Sequence, residues 1–193
     1  RSLWPTVVVL ALTAVVAGPI SSHDLWSYSF YGRMVSQYGV DPYHSVPAMF
    51  PHDVVYPVVG WRQTPSGYGP LFTAFSGLLT WVAGDSLLAM RLGFQLLAAG
   101  AVLWSLTVLA RARQSAALTL VALQPFVWIS LVNGGHNDAI VAAALLAAVV
   151  AFDRDRIVRS AVLVAVAVSI KLTAVFIVVP LVVMLIARRR GKD

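Results

Sequence analysis

Long apolar stretches separated by short polar segments follow one another along the chain. They cover residues 3–20, 71–83, 87–110, 116–132, 139–152 and 157–187. A helix pairs all of its own backbone hydrogen-bonding groups, so apolar runs of this kind are expected to be helical in a bilayer. The pattern predicts an all-α fold and a polytopic membrane protein.

Two of these stretches have lengths that do not suit a single membrane span. Crossing a hydrocarbon layer of about 30 Å takes roughly 17 to 25 helical residues, so 71–83 is predicted to be an interfacial helix. The stretch 157–187 is too long and carries Lys171 near its middle. We expect a hairpin of two helices, 157–170 and 172–187, with one tilted helix as the alternative.

Composition supports a membrane protein and excludes several other classes of protein and kinds of site. Of the 193 residues, 59% are hydrophobic and 11% are charged, about half the charge of a soluble domain. The net charge of +6 resides in basic residues that lie between apolar stretches, which argues for membrane topology and against nucleic acid. The absence of cysteine excludes disulfides, thiolate nucleophiles and iron–sulfur clusters.

Basic segments indicate which side of the membrane each turn faces. Arginines at 111–113, 154–159 and 188–190 predict cytoplasmic ends, so the turn 133–138 should face outward. The polar loop 21–70 faces the same side if 71–83 does not cross. The charge count does not separate the two layouts, and we favour the non-crossing one because 71–83 is short and contains Ser and Thr.

Asp24 directly follows the first apolar stretch and is a candidate functional residue. A carboxylate at this depth is costly unless it is hydrated or paired, and His23 and Arg33 are its nearest candidates along the chain. A local ion pair and a catalytic or binding role are therefore both open. The loop around it is dense in turn-forming residues, and long ordered loops of this kind often cover a functional cavity.

The other candidates lie in the Gly-Gly-His-Asn-Asp run at 134–138 and at Lys171. Asn137 or Asp138 could simply cap the following helix, which explains one of the three polar side chains. The Lys171 ammonium could extend to the interface, or it could hold a phosphate. Asp24, His136 and Asp138 are also acceptable metal ligands, so a divalent metal stays open as a less favoured alternative.

Together these motifs resemble the GT-C glycosyltransferases. Within that superfamily the chain is most similar to the actinobacterial mannosyltransferases that use polyprenyl-phosphate mannose to extend α-1,6-linked mannan in lipomannan biosynthesis. The run at 134–138 is the most specific match. The other motifs that carry the resemblance are Asp24, Gly32-Arg33, Asp41-Pro42-Tyr43, Tyr68-Gly69-Pro70 and Lys171.

The resemblance implies that residues 1–193 form one transmembrane module, the N-terminal catalytic half of a larger GT-C enzyme with short interfacial helices. Its active site would be extracytoplasmic in a multi-pass cell-membrane protein. The expected partners are a polyprenyl-phosphate sugar donor, a glycolipid or mannan acceptor, and membrane lipids.

By the same resemblance, Asp24 is the general base of an inverting transfer, and Lys171 and Arg33 stabilise the departing phosphate. The implied substrate-binding residues are Arg33, Tyr68, His136, Asn137, Asp138 and Lys171. Many superfamily members have a second acid close to the first, whereas residue 23 here is His23. Because a lipid-phosphate donor also lacks a pyrophosphate, no metal or other cofactor is expected.

A transporter or flippase component is the alternative from another class, with Asp24, Asp138 and Lys171 forming a charge relay. That alternative explains the charges but not the loop, and no convincing internal repeat supports it. A structural scaffold would disperse its polar residues, whereas here they concentrate at the outward ends of the helices. The sequence therefore favours an enzyme.

Overall fold

The structure is a computed structural model that describes residues 2–20 and 22–190. In this part of the chain the secondary structure is entirely helical, as predicted, with no β-strand. The α-helices are α1 (Trp4–Val16), α2 (Asp24–Ser36), α3 (Pro70–Ala83), α4 (Leu87–Arg111), α5 (Ser115–Leu123), α6 (Asp138–Asp153), α7 (Ile157–Ile170) and α8 (Val178–Arg190). Two 3₁₀ helices, Pro47–Met49 and Leu172–Ile177, and a π-helical segment, Val127–Val132, complete the described elements.

The elements differ from the sequence pattern at several points. The first helix ends at Val16, short of the predicted residue 20. The loop 21–70 contains the 13-residue helix α2, most of which is buried, and the aromatic segment 23–33 within this loop is helix-like already in the sequence. The stretch 116–132 was expected to be one helix, but α5 ends at Leu123 and Gln124 is extended, because the residue before a proline disfavours the helical conformation. Lys171 is also extended, so 157–187 is not one continuous helix.

Only α4 is both long and apolar enough to cross a bilayer by length and composition among the described helices. The helices α1, α3 and α7 and the segment Leu172–Ala187 are apolar but shorter. The structure thus holds fewer clear spans than the apolar stretches of the sequence predict. The multi-pass topology is taken up below as a proposal.

The helices α2 and α3 pack closely through small residues. A Cβ atom added at Gly32 would overlap the carbonyl oxygen of Ser76 and lie 2.9 Å from the Thr80 hydroxyl oxygen. The side chains of Ser36 and Thr80 meet across the same interface, with their oxygens 3.1 Å apart. Glycine at position 32 therefore allows the backbones to approach and fixes the direction of α2.

A buried polar network holds the segment between α1 and α2. The Asn133 side-chain amide donates to the carbonyls of Ala17 and Gly18, while its oxygen accepts a hydrogen bond from the backbone N–H of Ile20. The Gln95 side chain donates to the carbonyls of Ala17 and Asn133. These bonds satisfy carbonyls that the end of α1 leaves unpaired and fix where the chain enters α2.

The loop that precedes α3 lies directly on the C-terminal end of α7. The backbone N–H of Gly69 donates to the carbonyl of Ile170 at 2.8 Å, immediately before Lys171. A Cβ atom at Gly69 would overlap the carbonyl oxygen of Ser169. This contact requires glycine and couples the loop to the position of Lys171.

Gly69→Ala is expected to lower the thermal unfolding temperature of the purified protein, with a loss of roughly 1–3 kcal/mol in the free energy of unfolding, because the added methyl overpacks a backbone contact. Gly67→Ala is the matched control, since a Cβ there meets no heavy atom within 4 Å. Equal unfolding temperatures for the two variants would show that the loop does not rest on α7.

Candidate functional site

Four ionisable side chains from distant parts of the chain meet at one end of the helices. Asp24 is the first residue of α2, His136 and Asp138 lie at the start of α6, and Lys171 follows α7. The His136 Nδ1 atom is 3.5 Å from Asp24 Oδ2 and 3.9 Å from Asp138 Oδ2. The Lys171 ammonium contacts both carboxylate oxygens of Asp138, at 2.7 and 2.9 Å. We call these four residues the charged cluster.

The charged cluster is accessible from outside the bundle. Its side chains are between 19% and 44% exposed. His136 and Asp138 also line a cleft of about 540 Å³, together with Ser22, Phe126, Ser130 and Leu131. A cleft of this size is in the range that accommodates small-molecule ligands. The cluster therefore combines a carboxylate, an imidazole and an ammonium where a ligand can reach them.

Asp24 is held by residues distant in the sequence. The indole N–H of Trp61 donates to Asp24 Oδ1 at 3.2 Å, and His136 faces the other carboxylate oxygen. The local ion pair with His23 or Arg33, one of the alternatives from the sequence, does not account for these contacts. Trp61 is not evident from the sequence as a site residue, since no local spacing links it to Asp24, 37 positions away.

The turn before α6 depends on glycine and on a buried asparagine. Gly135 has a φ of +62°, and a Cβ there would lie 2.8 Å from the Leu25 side chain. Asn137 occupies the N-cap position, but its side chain does not cap the helix and instead accepts a hydrogen bond from the Tyr28 hydroxyl at 3.4 Å. Its Nδ2 atom has no hydrogen-bond partner among the described residues. Capping therefore does not explain this turn.

Tyr68 lies beside the charged cluster within a group of aromatic side chains. Its ring meets the Tyr28 ring edge-on with centroids 4.7 Å apart. Burial, and then the negative charge of Asp24, raise the pKa of Tyr68 above its ordinary value. The hydroxyl consequently stays protonated at physiological pH and can donate a hydrogen bond.

Arg33 is not part of the charged cluster. Its guanidinium contacts Asp53 Oδ2 at 2.7 Å, the Gly84 carbonyl at 2.7 Å and Asp85 Oδ1 at 2.9 Å, and its side chain is 6% exposed. These contacts tie α2 to the polar loop and to the turn between α3 and α4. These contacts favour a structural role for Arg33 over the expected binding of substrate phosphate.

The described residues contain no group of three or more His, Cys, Asp or Glu side chains placed to hold a metal ion. In the charged cluster the Lys171 ammonium already pairs with Asp138. The arrangement suits acid–base chemistry and the binding of an anion.

Comparison with known proteins identifies a sequence family that covers nearly all of this chain. A sequence-family model described as alpha-(1->6)-mannopyranosyltransferase, N-terminal domain, matches residues 1–188. The chain belongs to this family.

Curated relatives agree with the family match. Alpha-(1->6)-mannopyranosyltransferase A of Corynebacterium glutamicum is 30% identical over all of this chain and 41% of its own length. The protein of the same name from Mycobacterium tuberculosis is 30% identical over 88% of this chain and 34% of its length. Alpha-(1->6)-mannopyranosyltransferase B of C. glutamicum is 31% identical over 76% of this chain and 25% of its own length. The chain thus spans about two fifths or less of these relatives, and no solved structure matches it.

Proposed function

We propose that this chain is the catalytic part of a multi-pass membrane enzyme of the GT-C type. The enzyme transfers mannose from a polyprenyl-phosphate donor to a glycolipid or mannan acceptor, as in lipomannan biosynthesis. The names of the relatives support mannosyl transfer and an α-1,6 linkage. The observation that carries the proposal is the charged cluster, which joins a potential base to a potential phosphate-binding ammonium.

Exposed apolar side chains support the membrane placement. The mean hydropathy is +0.81, and large apolar residues are exposed on several helices. Such continuous apolar surfaces are unfavourable in water and compatible with lipid. Examples are Val9, Leu12 and Val16 on α1, Leu88 and Leu96 on α4, Val158 and Val162 on α7, and Val179 and Val183 on α8.

The ends of α6 and α7 support an extracytoplasmic site. The helix α6 begins with Asp138 and ends next to Arg154, while α7 begins after Arg156 and ends next to Lys171. The charged cluster and the arginine-rich turn therefore lie at opposite ends of both helices. Since basic segments favour the cytoplasmic side, this orientation directs the cluster outward.

In the proposed reaction, Asp24 accepts the proton of the acceptor hydroxyl as that oxygen forms a bond to the anomeric carbon of mannose. The bond between this carbon and the phosphate oxygen breaks, and the lipid phosphate leaves with the electron pair. One displacement inverts the configuration at the anomeric carbon. No acid is needed, because the departing phosphate is already a weak base.

The other residues of the site bind and position the substrates. The Lys171 ammonium, oriented by Asp138, stabilises the negative charge of the phosphate. His136 lies between the two carboxylates and orients Asp24. Tyr68, whose phenol stays protonated, donates a hydrogen bond to a sugar hydroxyl. Asn137 is fully buried, so its part in substrate binding is to hold the turn that carries His136 and Asp138.

A donor comparison tests the proposed function. Membranes containing the full gene product receive labelled polyprenyl-phosphate mannose or labelled GDP-mannose, with endogenous synthesis of the lipid donor blocked. We expect labelled mannan from the lipid donor alone. Incorporation from GDP-mannose alone would contradict the lipid-phosphate donor, and passage of the lipid across the membrane without any product would favour the transporter alternative.

Trp61 is expected to form part of the acceptor site, because its indole is 55% exposed beside Asp24 and can stack on a sugar ring. Trp61→Ala should raise the acceptor KM about tenfold, and Trp61→Phe should raise it less because the stacking face is kept. Trp81→Ala is the control, since exposed Trp81 lies near the far end of α3. An unchanged acceptor KM in Trp61→Ala would refute this role.

A further inference from the structure

A second charged site lies at the opposite ends of the helices from the charged cluster. A cleft of about 290 Å³ opens between the end of α4, the end of α6 and the start of α7. Its lining includes four arginines and an aromatic side chain, namely Arg111, Arg154, Arg156, Arg159 and Trp104. We call this feature the arginine cleft.

The local backbone brings these arginines together. Asp155 has a φ of +56°, a left-handed conformation that reverses the chain between α6 and α7 and places Arg154 and Arg156 on either side of the turn. Arg159 follows in the first turn of α7, and Arg111 closes α4. The cleft therefore gathers positive charge from two separate segments.

The described lining of the arginine cleft contains no acidic side chain. Neither Asp153 nor Asp155 lines the cleft, although Asp155 lines the groove that adjoins it. All four arginines are exposed, so water and salt screen their mutual repulsion, and an anion in the cleft can be contacted by several guanidinium groups at once. Because guanidinium binds phosphate through paired hydrogen bonds, a phosphate group is the ligand that suits this site.

Membrane topology alone does not require such convergence. Basic residues that merely orient helices need only lie on the cytoplasmic side, and Arg113 does so without lining the cleft. The four arginines instead share one cleft with the partly exposed indole of Trp104. The arrangement is that of a binding site.

An apolar surface adjoins the arginine cleft and identifies the source of the phosphate. Arg156 and Arg159 also border a groove that contains Val158 and Val162, which are 80% and 56% exposed. A free phosphate has no use for this surface, whereas an acyl chain covers it. We propose that the arginine cleft binds the phosphate headgroup of an anionic membrane lipid, with an acyl chain along α7.

This proposal uses the membrane orientation proposed above but not the transfer reaction. A lipid here occupies the leaflet opposite the sugar donor, so the two lipids do not compete for one site. Transfer can persist while this site fails, and lipid can bind here while the transfer reaction fails. The two proposals are therefore separable by experiment.

Native mass spectrometry of the full gene product in neutral detergent tests the proposal. The protein is titrated with phosphatidylglycerol, with phosphatidylcholine and with inorganic phosphate. We expect saturable binding of phosphatidylglycerol in preference to phosphatidylcholine. In Arg111→Gln/Arg159→Gln the apparent Kd for phosphatidylglycerol should rise at least about tenfold, since each basic residue contributes appreciably to binding an anionic headgroup.

The matched control is Arg113→Gln, which removes a cation on the same turn outside the arginine cleft. An equal loss of binding in this control would overturn the proposal, as would equal retention of the two lipids by the wild-type protein. Inorganic phosphate that displaces phosphatidylglycerol at comparable concentration would assign the cleft to a free phosphate and contradict the lipid. The wild-type lipid preference decides the question even if the double variant does not fold.

Discussion

Replacing Asp24 by asparagine is expected to lower the rate of mannosyl transfer by a factor of about 10² to 10⁴, the usual contribution of a general base. The amide has nearly the size of the carboxylate and can still accept the Trp61 indole hydrogen bond, so the variant should fold normally. What it cannot do is accept the proton of the acceptor hydroxyl. The measurement is initial-rate transfer from labelled polyprenyl-phosphate mannose at matched expression.

Two control variants sharpen this prediction. Asp41→Asn removes an exposed carboxylate of the same loop that pairs with His44, and transfer should stay within about twofold of wild type. Asp24→Glu keeps the base but displaces it by a methylene, so its activity should lie between those of wild type and Asp24→Asn. Wild-type turnover in Asp24→Asn would move the search for the base to Asp138 or Asp41.

The second large effect is expected for Lys171→Met, which keeps the apolar stem and removes the ammonium. The loss of a charge-assisted contact to phosphate, worth roughly 1.5–3 kcal/mol, should raise the donor KM by about 10- to 100-fold. The acceptor KM should change much less. Steady-state kinetics with each substrate varied in turn measures both constants.

Lys171→Arg is the matched variant for this prediction. It retains the positive charge and the possibility of pairing with Asp138, so it should recover part of the donor affinity. A thermal unfolding scan of each variant detects any loss of fold from the disrupted pair. Equal increases in the donor and acceptor KM of Lys171→Met would contradict a specific role at the phosphate.

Hydrophobic patterning predicts much of the fold because most helices follow the apolar stretches. The helix α7 has the bounds 157–170 that the pattern predicts. The helix α4 ends one residue later than predicted, and α6 is one residue longer at each end. The pattern does not reveal the interruption at Pro125, because a proline in an apolar stretch is compatible with a kink as well as with a break. The apolar stretch 116–132 therefore predicts a helix that runs through this residue.

The sequence indicates candidate site residues but not which of them pair with distant residues in the fold. Asp24, His136, Asp138 and Lys171 are each conspicuous as polar residues next to apolar stretches, so all four could be selected from the sequence. Arg33 was equally conspicuous, yet its partner Asp53 is 20 residues away in a loop of irregular backbone. No periodicity links these two positions, and a buried structural ion pair cannot be told from a ligand site without the fold.

The buried polar network around Gln95 and Asn133 shows the same limit. Gln95 lies within an apolar helix, and in the sequence it is an isolated polar residue with no indicated partner. In the fold it contacts the end of α1 and the turn that precedes α6. These contacts form only when three separate segments pack together, so they cannot be predicted from the local sequence.

The central claim is that Asp24 performs the chemical step while other residues hold the donor. The most direct test measures donor binding and product formation in the same sample of Asp24→Asn, by filter capture of labelled polyprenyl-phosphate mannose and chromatography of the product. We predict donor binding within about twofold of wild type and a product-forming step slowed by at least about 10². Product formed from bound donor at the wild-type rate would contradict the claim, as would loss of donor binding from a correctly folded variant.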